Sequence, residues 1–265
     1  MPYGYRTLPS RRGDDNDDDA RCRPDAPPCC TGHMTTTMHD AAQILEDGLA
    51  GCALDEEQAA NAYESTGERG RATLKQCIAR LYRFYGEREA TRSVTRRFRD
   101  GFTVETHETP AAFALIVCSA AHPCPASLTA VILPALTAGA PVFPCLLPDP
   151  AKPLHAPLAA ALELAGVDPA RIVPEDVLLS LLKKIAYPRA GRILLLGPPA
   201  PAPRLAAYAH AHAVPCLSLA PPVPRTAPAQ DPCFLELDAA HADLRILPDL
   251  DPSWFRARRM NIHAS

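Results

Sequence analysis

The stretch "AFALIVCSAAHPCPASLTAVILPALTAGAPVFPCLL", residues 112–147, decides how the rest of the chain is read. It opens with a short apolar run, which suits a strand buried on both faces better than one with a wet side. Residues 126–139 then read as a helix that stops at Gly139, a residue tolerant of the left-handed turn at a helix end. Residues 141–147 form a second apolar run. A strand, a helix and another strand in this order are the parts of a parallel crossover.

The same alternation continues to residue 222. "PLHAPLAAALELAGV", "DVLLSLLKKIAYP" and "PRLAAYAHAHAV" read as helices between the strands "ARIVPE", "GRILLLGPP" and "PCLSLAP". Strands at 113–117, 142–147, 171–173, 192–196 and 216–219 predict an α/β fold, a Rossmann-like doubly wound and mainly parallel sheet. Upstream, apolar residues recur at three and four positions through 38–51 and 71–98, which predicts a helical segment over 38–100. Arg92 to Arg99 is read as a solvated face, with an anion site as the sharper alternative.

Residues 1–37 are polar, acidic in the middle and poor in aliphatic side chains, so they are predicted to form a disordered tail. Cys22, Cys29, Cys30 and His33 lie in it, but their spacing matches no standard zinc module. Residues 101–223 form the predicted lobe, and 224–265 are read as a linker and the incomplete start of a second lobe. With 27 basic and 30 acidic residues, the formal charge of −3 offers no broad field for nucleic acid or an anionic membrane. Thirty prolines against 13 glycines leave few places where backbone can approach a phosphate closely. The 10 cysteines show no CxxC pair, a usage that fits a reducing cytosol. No apolar run is long enough to span a membrane, and a cytoplasmic protein is expected.

In a parallel sheet the informative residues follow the carboxyl ends of the strands. Those segments read "CSAAHPCP", "PDPAKP", "PEDV", "GPPAPAP" and "APPVPR", and contain no standard phosphate loop. Gly197 ahead of a helix could present N–H groups to an anion, but Pro198, Pro199, Pro201 and Pro203 remove donors there. Cys118 and Cys124 beside His122 could form a nucleophile and base, or could be inert apolar filling.

The run 116–139 resembles the histidinol dehydrogenase pattern Y-V-P-G-G-x-A-P-x-P-S-x-x-x-M-x-x-I-P-A-x-x-A-G, in register through Pro123, Pro125, Pro134, Ala135, Ala138 and Gly139. "LAAALELAGVD" (158–168), "IAYP" (185–188) and "ILLLGPP" (193–199) follow in the family's order. The layout is similar to that of the wider aldehyde dehydrogenase superfamily, whose segment ending in D-A-D-L resembles "LELDAAHADL". This resemblance implies two Rossmann-like lobes, NAD as cofactor and oxidation of an alcohol or aldehyde.

Carried over by position, the family's cofactor-contacting Tyr falls on Ile116, its Pro-Gly-Gly on Cys118, Ser119 and Ala120, and its Asn on Ala200. A family Gln falls near Val177 or Ser180. The resemblance therefore implies a weak NAD site around Ser119, Ala120, Gly197 and Pro198. The family's zinc-binding Q-A-E-H falls on Asp238 to His241, which keeps Asp238 and His241 as a possible pair with Asp243 and His263 as spare ligands; zinc is not expected to bind. No cysteine follows the "ADL" segment, and the family's Glu-His pair would lie beyond residue 265. The expectation is a diverged, truncated member with weak or no dehydrogenase activity alone. The alternative is a non-catalytic interaction or regulatory subunit that docks on a second protein through its Pro-rich face 197–224, or associates with its own missing half or as an oligomer.

Overall fold

In a computed structural model, residues 31–86, 92–167, 169–197, 201–219 and 250–264 are described. Three helices come first: α1 (Thr31–Leu49), α2 (Glu56–Ser65) and α3 (Gly67–Tyr85). A hairpin of β1 (Arg92–Arg97) and β2 (Phe102–Pro110) follows. The lobe then runs β3 (Ala114–Ser119), α4 (Pro125–Ala138), β4 (Val142–Leu147), α5 (Ala156–Leu164), β5 (Arg171–Ile172), α6 (Glu175–Leu182), β6 (Arg192–Leu196), α7 (Pro203–Ala211) and β7 (Cys216–Leu219). Strand β8 (Arg256–Ala264) ends the described chain.

The five lobe strands form a wholly parallel sheet in the order β5-β4-β3-β6-β7. Successive side chains of a strand point to opposite faces. Accordingly Ile116 and Cys118, with Leu194 and Leu196, pack beneath α3, α4 and α5. Leu115 and Val117, with Ile193 and Leu195, pack against α1, α6 and α7. Both faces are covered, which is why these strands read as unbroken apolar runs. Helix α4 carries Pro134 in its interior, at a cost of about 3 kcal/mol. Leu128, Val131, Ile132 and Leu133 around it are fully buried, and at roughly 1.5–3 kcal/mol each they outweigh that cost. Gly139 closes the helix at φ 80°.

Three expectations change. Residues 31–37, assigned to the tail, belong to α1. The helical segment ends at Tyr85, because Gly86 terminates α3 at φ 84°. Arg92–Arg97 is instead a strand, in which Val94 and Thr95 favour extended backbone and every residue pairs with β2. Residues 250–264, expected to open a second lobe, pack back onto the first. Leu250 and Phe255 are buried in the α4 side of the core, and β8 pairs along the whole of β2. The result is a three-stranded antiparallel sheet in the order β1-β2-β8.

Arg192 ties the two sheets together. From the start of β6 its guanidinium donates to the carbonyls of Trp254 and Arg256 at 2.6 Å each, and to Gly191 O at 2.9 Å. Gly191 itself admits no side chain, since a Cβ there would fall on the Phe113 ring.

Candidate site at the switch point

The sheet reverses its winding between β3 and β6. From β3 the chain leaves through α4 on one face, and from β6 it leaves through α7 on the other. The crevice beyond the carboxyl ends of these two strands is where doubly wound folds hold ligands. It brings together four residues singled out in the sequence: Ser119, Ala120, His122 and Gly197. A Cβ built on Gly197 would lie 3.7 Å from His122 Nδ1, so the imidazole faces the end of β6 directly.

The loop after β3 uses its own hydrogen-bonding groups. Ala120 N donates to Leu147 O at 2.8 Å, Ala121 N to Ser119 Oγ at 3.2 Å, and His122 N to Ser119 O at 2.9 Å. His155 N donates to Ala120 O at 2.8 Å, drawing the loop before α5 onto the same turn. Gly197 N donates to Leu219 O at 2.9 Å.

His122 is only 5% exposed. Its Nε2 lies 2.8 Å from Ser127 Oγ, and Ser127 Oγ donates to Cys124 O at 2.8 Å. Those partners belong to the first turn of α4, so the ring sits over a helix N-terminus. Burial, followed by the charge of nearby His155, lowers its pKa from the ordinary 6.5 to about 4. The positive end of the α4 dipole acts in the same direction. The imidazole is therefore neutral in the physiological range.

A second helix start at the crevice is also occupied. Glu175 Oε1 accepts from Leu205 N at 2.8 Å and thus caps α7 from the first turn of α6. Pro203 at the start of α7 has no N–H to offer. Arg204 and Asp176 form an ion pair beside this contact. Sequence reading missed Glu175. An acidic residue in the first turn of α6 is an ordinary helix signal, and nothing local shows that it reaches 30 positions ahead.

Other expected site residues lie elsewhere. Ile116 is fully buried in the α4 side of the core. Val177 and Ser180 lie on α6, where Ser180 Oγ bonds Val177 O at 2.8 Å. The Cys118 thiol is fully buried, and desolvation pushes its pKa up to about 12, so it is not a thiolate near neutrality. His263 is on β8, 3.7 Å from Glu105 and away from the crevice. Pro198, Ala200, Asp238, His241, Asp243 and the amino-terminal Cys22, Cys29 and Cys30 lie outside the described residues. Among the described residues no group of three or more His, Cys, Asp or Glu is arranged to hold a metal ion.

No family model matches this sequence, and no curated protein does. Among solved structures, the chain is similar to histidinol dehydrogenase from Elizabethkingia anophelis, with 11% identity over 75% of this chain and 49% of that one, at a TM-score of 0.50. The fold is dehydrogenase-like. Two further similarities are to a putative aldehyde dehydrogenase from Burkholderia cenocepacia and to succinic semialdehyde dehydrogenase from Streptococcus pyogenes in complex with NADP+. The first has 20% identity over 69% of this chain and 38% of that one, at a TM-score of 0.37. The second has 14% identity over 71% and 40%, at 0.39. At these identities the likeness is one of fold alone, and the chain spans half or less of each of these proteins.

Proposed function

We propose that this chain is a dehydrogenase-like lobe whose dinucleotide crevice is closed by its own side chains, so that it holds NAD weakly and is not a dehydrogenase by itself. The observation that carries this reading is the double occupation of the switch point: His122 covers the start of α4, and Glu175 caps the start of α7. A dinucleotide binds such a fold by setting its pyrophosphate on free N–H groups at a helix N-terminus. Here the amides of Ala120, Ala121, His122, Gly197 and Leu205 already donate to acceptors within the chain. The residues present at this crevice do not fit a dinucleotide.

The same closure favours a non-catalytic role, as a partner or regulatory subunit. Among the described residues Cys52, Cys77, Cys118, Cys124, Cys145 and Cys216 are not joined in disulfides, which supports a reducing cytosol as the working compartment. No described helix is long and apolar enough to cross a membrane.

Calorimetric titration of NAD tests the reading. Each contact not made is worth about 1 kcal/mol, so the expected dissociation constant lies above about 0.1 mM. Micromolar binding would overturn it.

A further inference from the structure

The net charge of −3 conceals an asymmetry. Residues 92–110 and 256–264, which make the three-stranded sheet and the turn between β1 and β2, hold 7 arginines against Asp100, Glu105 and Glu108; this is a net +4, which leaves −7 for the remainder of the chain. Such a local field attracts anions that the molecule as a whole repels. Glu105 lies 3.6 Å from His107 and 3.7 Å from His263, and Glu108 lies 3.8 Å from Arg258. Of the three acids only Asp100 belongs to the turn, where Arg96, Arg97 and Arg99 are all exposed.

The turn end of this sheet is also apolar on one face. Pro110 pairs with Arg256 at the root, where Arg192 is bonded, and Phe102 lies eight residues away along β2, roughly 27 Å from it. At that far end Phe98 N donates to Phe102 O at 2.9 Å, and the two rings stack with centroids 4.5 Å apart. Alternation along β2 puts Phe102, Val104 and Thr106 on one face, and the register sets Ile262 beside Val104 and Met260 beside Thr106. Phe98 is 45% exposed, Met260 60% and Ile262 69%. Large apolar side chains thus stand in the open next to a ring of arginines, a combination that marks an interaction surface.

We propose that the turn end of the β1-β2-β8 sheet is a peripheral site for an anionic membrane surface, with Phe98 and Ile262 sunk among the headgroups and Arg96, Arg97 and Arg99 against lipid phosphates. The rows that hold Phe102 and Val104 are roughly 7 Å apart. That matches the ~5–10 Å to which the apolar side of an interfacial element sinks. Chemistry decides between a bilayer and a nucleic acid as the polyanion. Single strands are held on aromatic faces that stack successive bases. Here the exposed ring of Phe98 is accompanied by the aliphatic Ile262 and Met260, which suit hydrocarbon and have no face for a base. This surface is separate from the crevice, and its test does not depend on NAD.

Co-sedimentation of the full chain with phosphatidylcholine vesicles, made with and without phosphatidylserine, tests this. The chain should bind the vesicles that contain phosphatidylserine and not the others, and less so at high salt. An arginine near an anionic surface strengthens binding about fivefold, so the double change Arg97→Gln and Arg99→Gln should weaken it roughly 25-fold. Ile262→Ser should weaken it with the charge unchanged, and Lys183→Gln with Lys184→Gln, on exposed positions after α6, should leave it as it was. All of these positions are exposed, and circular dichroism verifies that each variant folds. Failure of the parent to bind phosphatidylserine vesicles overturns the proposal, as does equal binding to both kinds. Equal losses from the lysine and arginine pairs would overturn it too, by showing that charge acts without a site. So would a single-stranded oligonucleotide that the parent binds, the Arg97→Gln and Arg99→Gln protein does not, and vesicles fail to displace.

Discussion

His122 does at the scale of one residue what the fold does at large, which is to spend polar groups internally. A neutral imidazole buried against Ser127 makes stability depend on pH, and the sign follows from which state binds the proton first. The unfolded side chain takes its proton near 6.5, and the folded one only near 4. Between these values the unfolded state holds more protons, so stability falls as pH falls through the window and does not recover below it. At about 1.4 kcal/mol per unit, His122 should contribute a loss on the order of 3 kcal/mol. Denaturant melts of the parent and of His122→Gln at pH 7 and pH 4 give this contribution as the difference between their pH dependences. Equal dependences in the two proteins would mean that the ring is charged or exposed in the folded state. The Cys118 thiol, with its pKa near 12 and no exposure, should resist iodoacetamide until the protein unfolds, as peptide mapping by mass would show. Its burial was legible in the apolar run that contains it, whereas the role of His122 was not. A histidine between alanine and proline gives no sign of whether it will act as a base or fill a crevice.

The elements divide by the kind of signal they carry. Strands β3, β4 and β6 were plain in the sequence because burial on both faces removes every polar interruption. Helix α4 was plain because Gly139 marks its end. Strands β1 and β8 were not, since both are edges with arginines on them, and an Arg-rich run after a helix reads equally as a longer helix. What fixes them is pairing with β2, a contact between residues as far apart as Thr103 and His263 that no local window contains. Arg192 holds this arrangement at its root. Replacing it with Met keeps an unbranched apolar stem and removes three donors from the carbonyls of Gly191, Trp254 and Arg256. Charged hydrogen bonds are worth about 1.5–3 kcal/mol each, and even with water replacing some of them Arg192→Met should cost at least about 3 kcal/mol. The backbone amides of β8 should lose protection before those of β3, which hydrogen exchange would resolve. Uniform loss across both sheets would show that the antiparallel sheet and the lobe unfold as one unit.

At the scale of the whole molecule, a sheet can retain the architecture of an enzyme while its loops give up the chemistry, because packing and catalysis depend on different residues. The core of this lobe needs only apolar side chains at alternating positions, and it has them. Dehydrogenation needs a bound nicotinamide and, depending on the substrate, a base for a hydroxyl proton or a thiolate to add to an aldehyde. Neither His122 nor Cys118 supplies such a group. His122, with its pKa near 4, is too weak a base at pH 7 and is already hydrogen-bonded to Ser127. Cys118 is a buried thiol. The purified chain, mixed with NAD and either histidinol or a simple aldehyde, should therefore give no NADH above the rate without protein, as followed by absorbance. The control that makes this decisive is a pair of substitutions, Cys118→Ser and His122→Gln. Steady NADH production that either change abolished would place a working nucleophile or base at the end of β3, and the closed-crevice reading would fail with it.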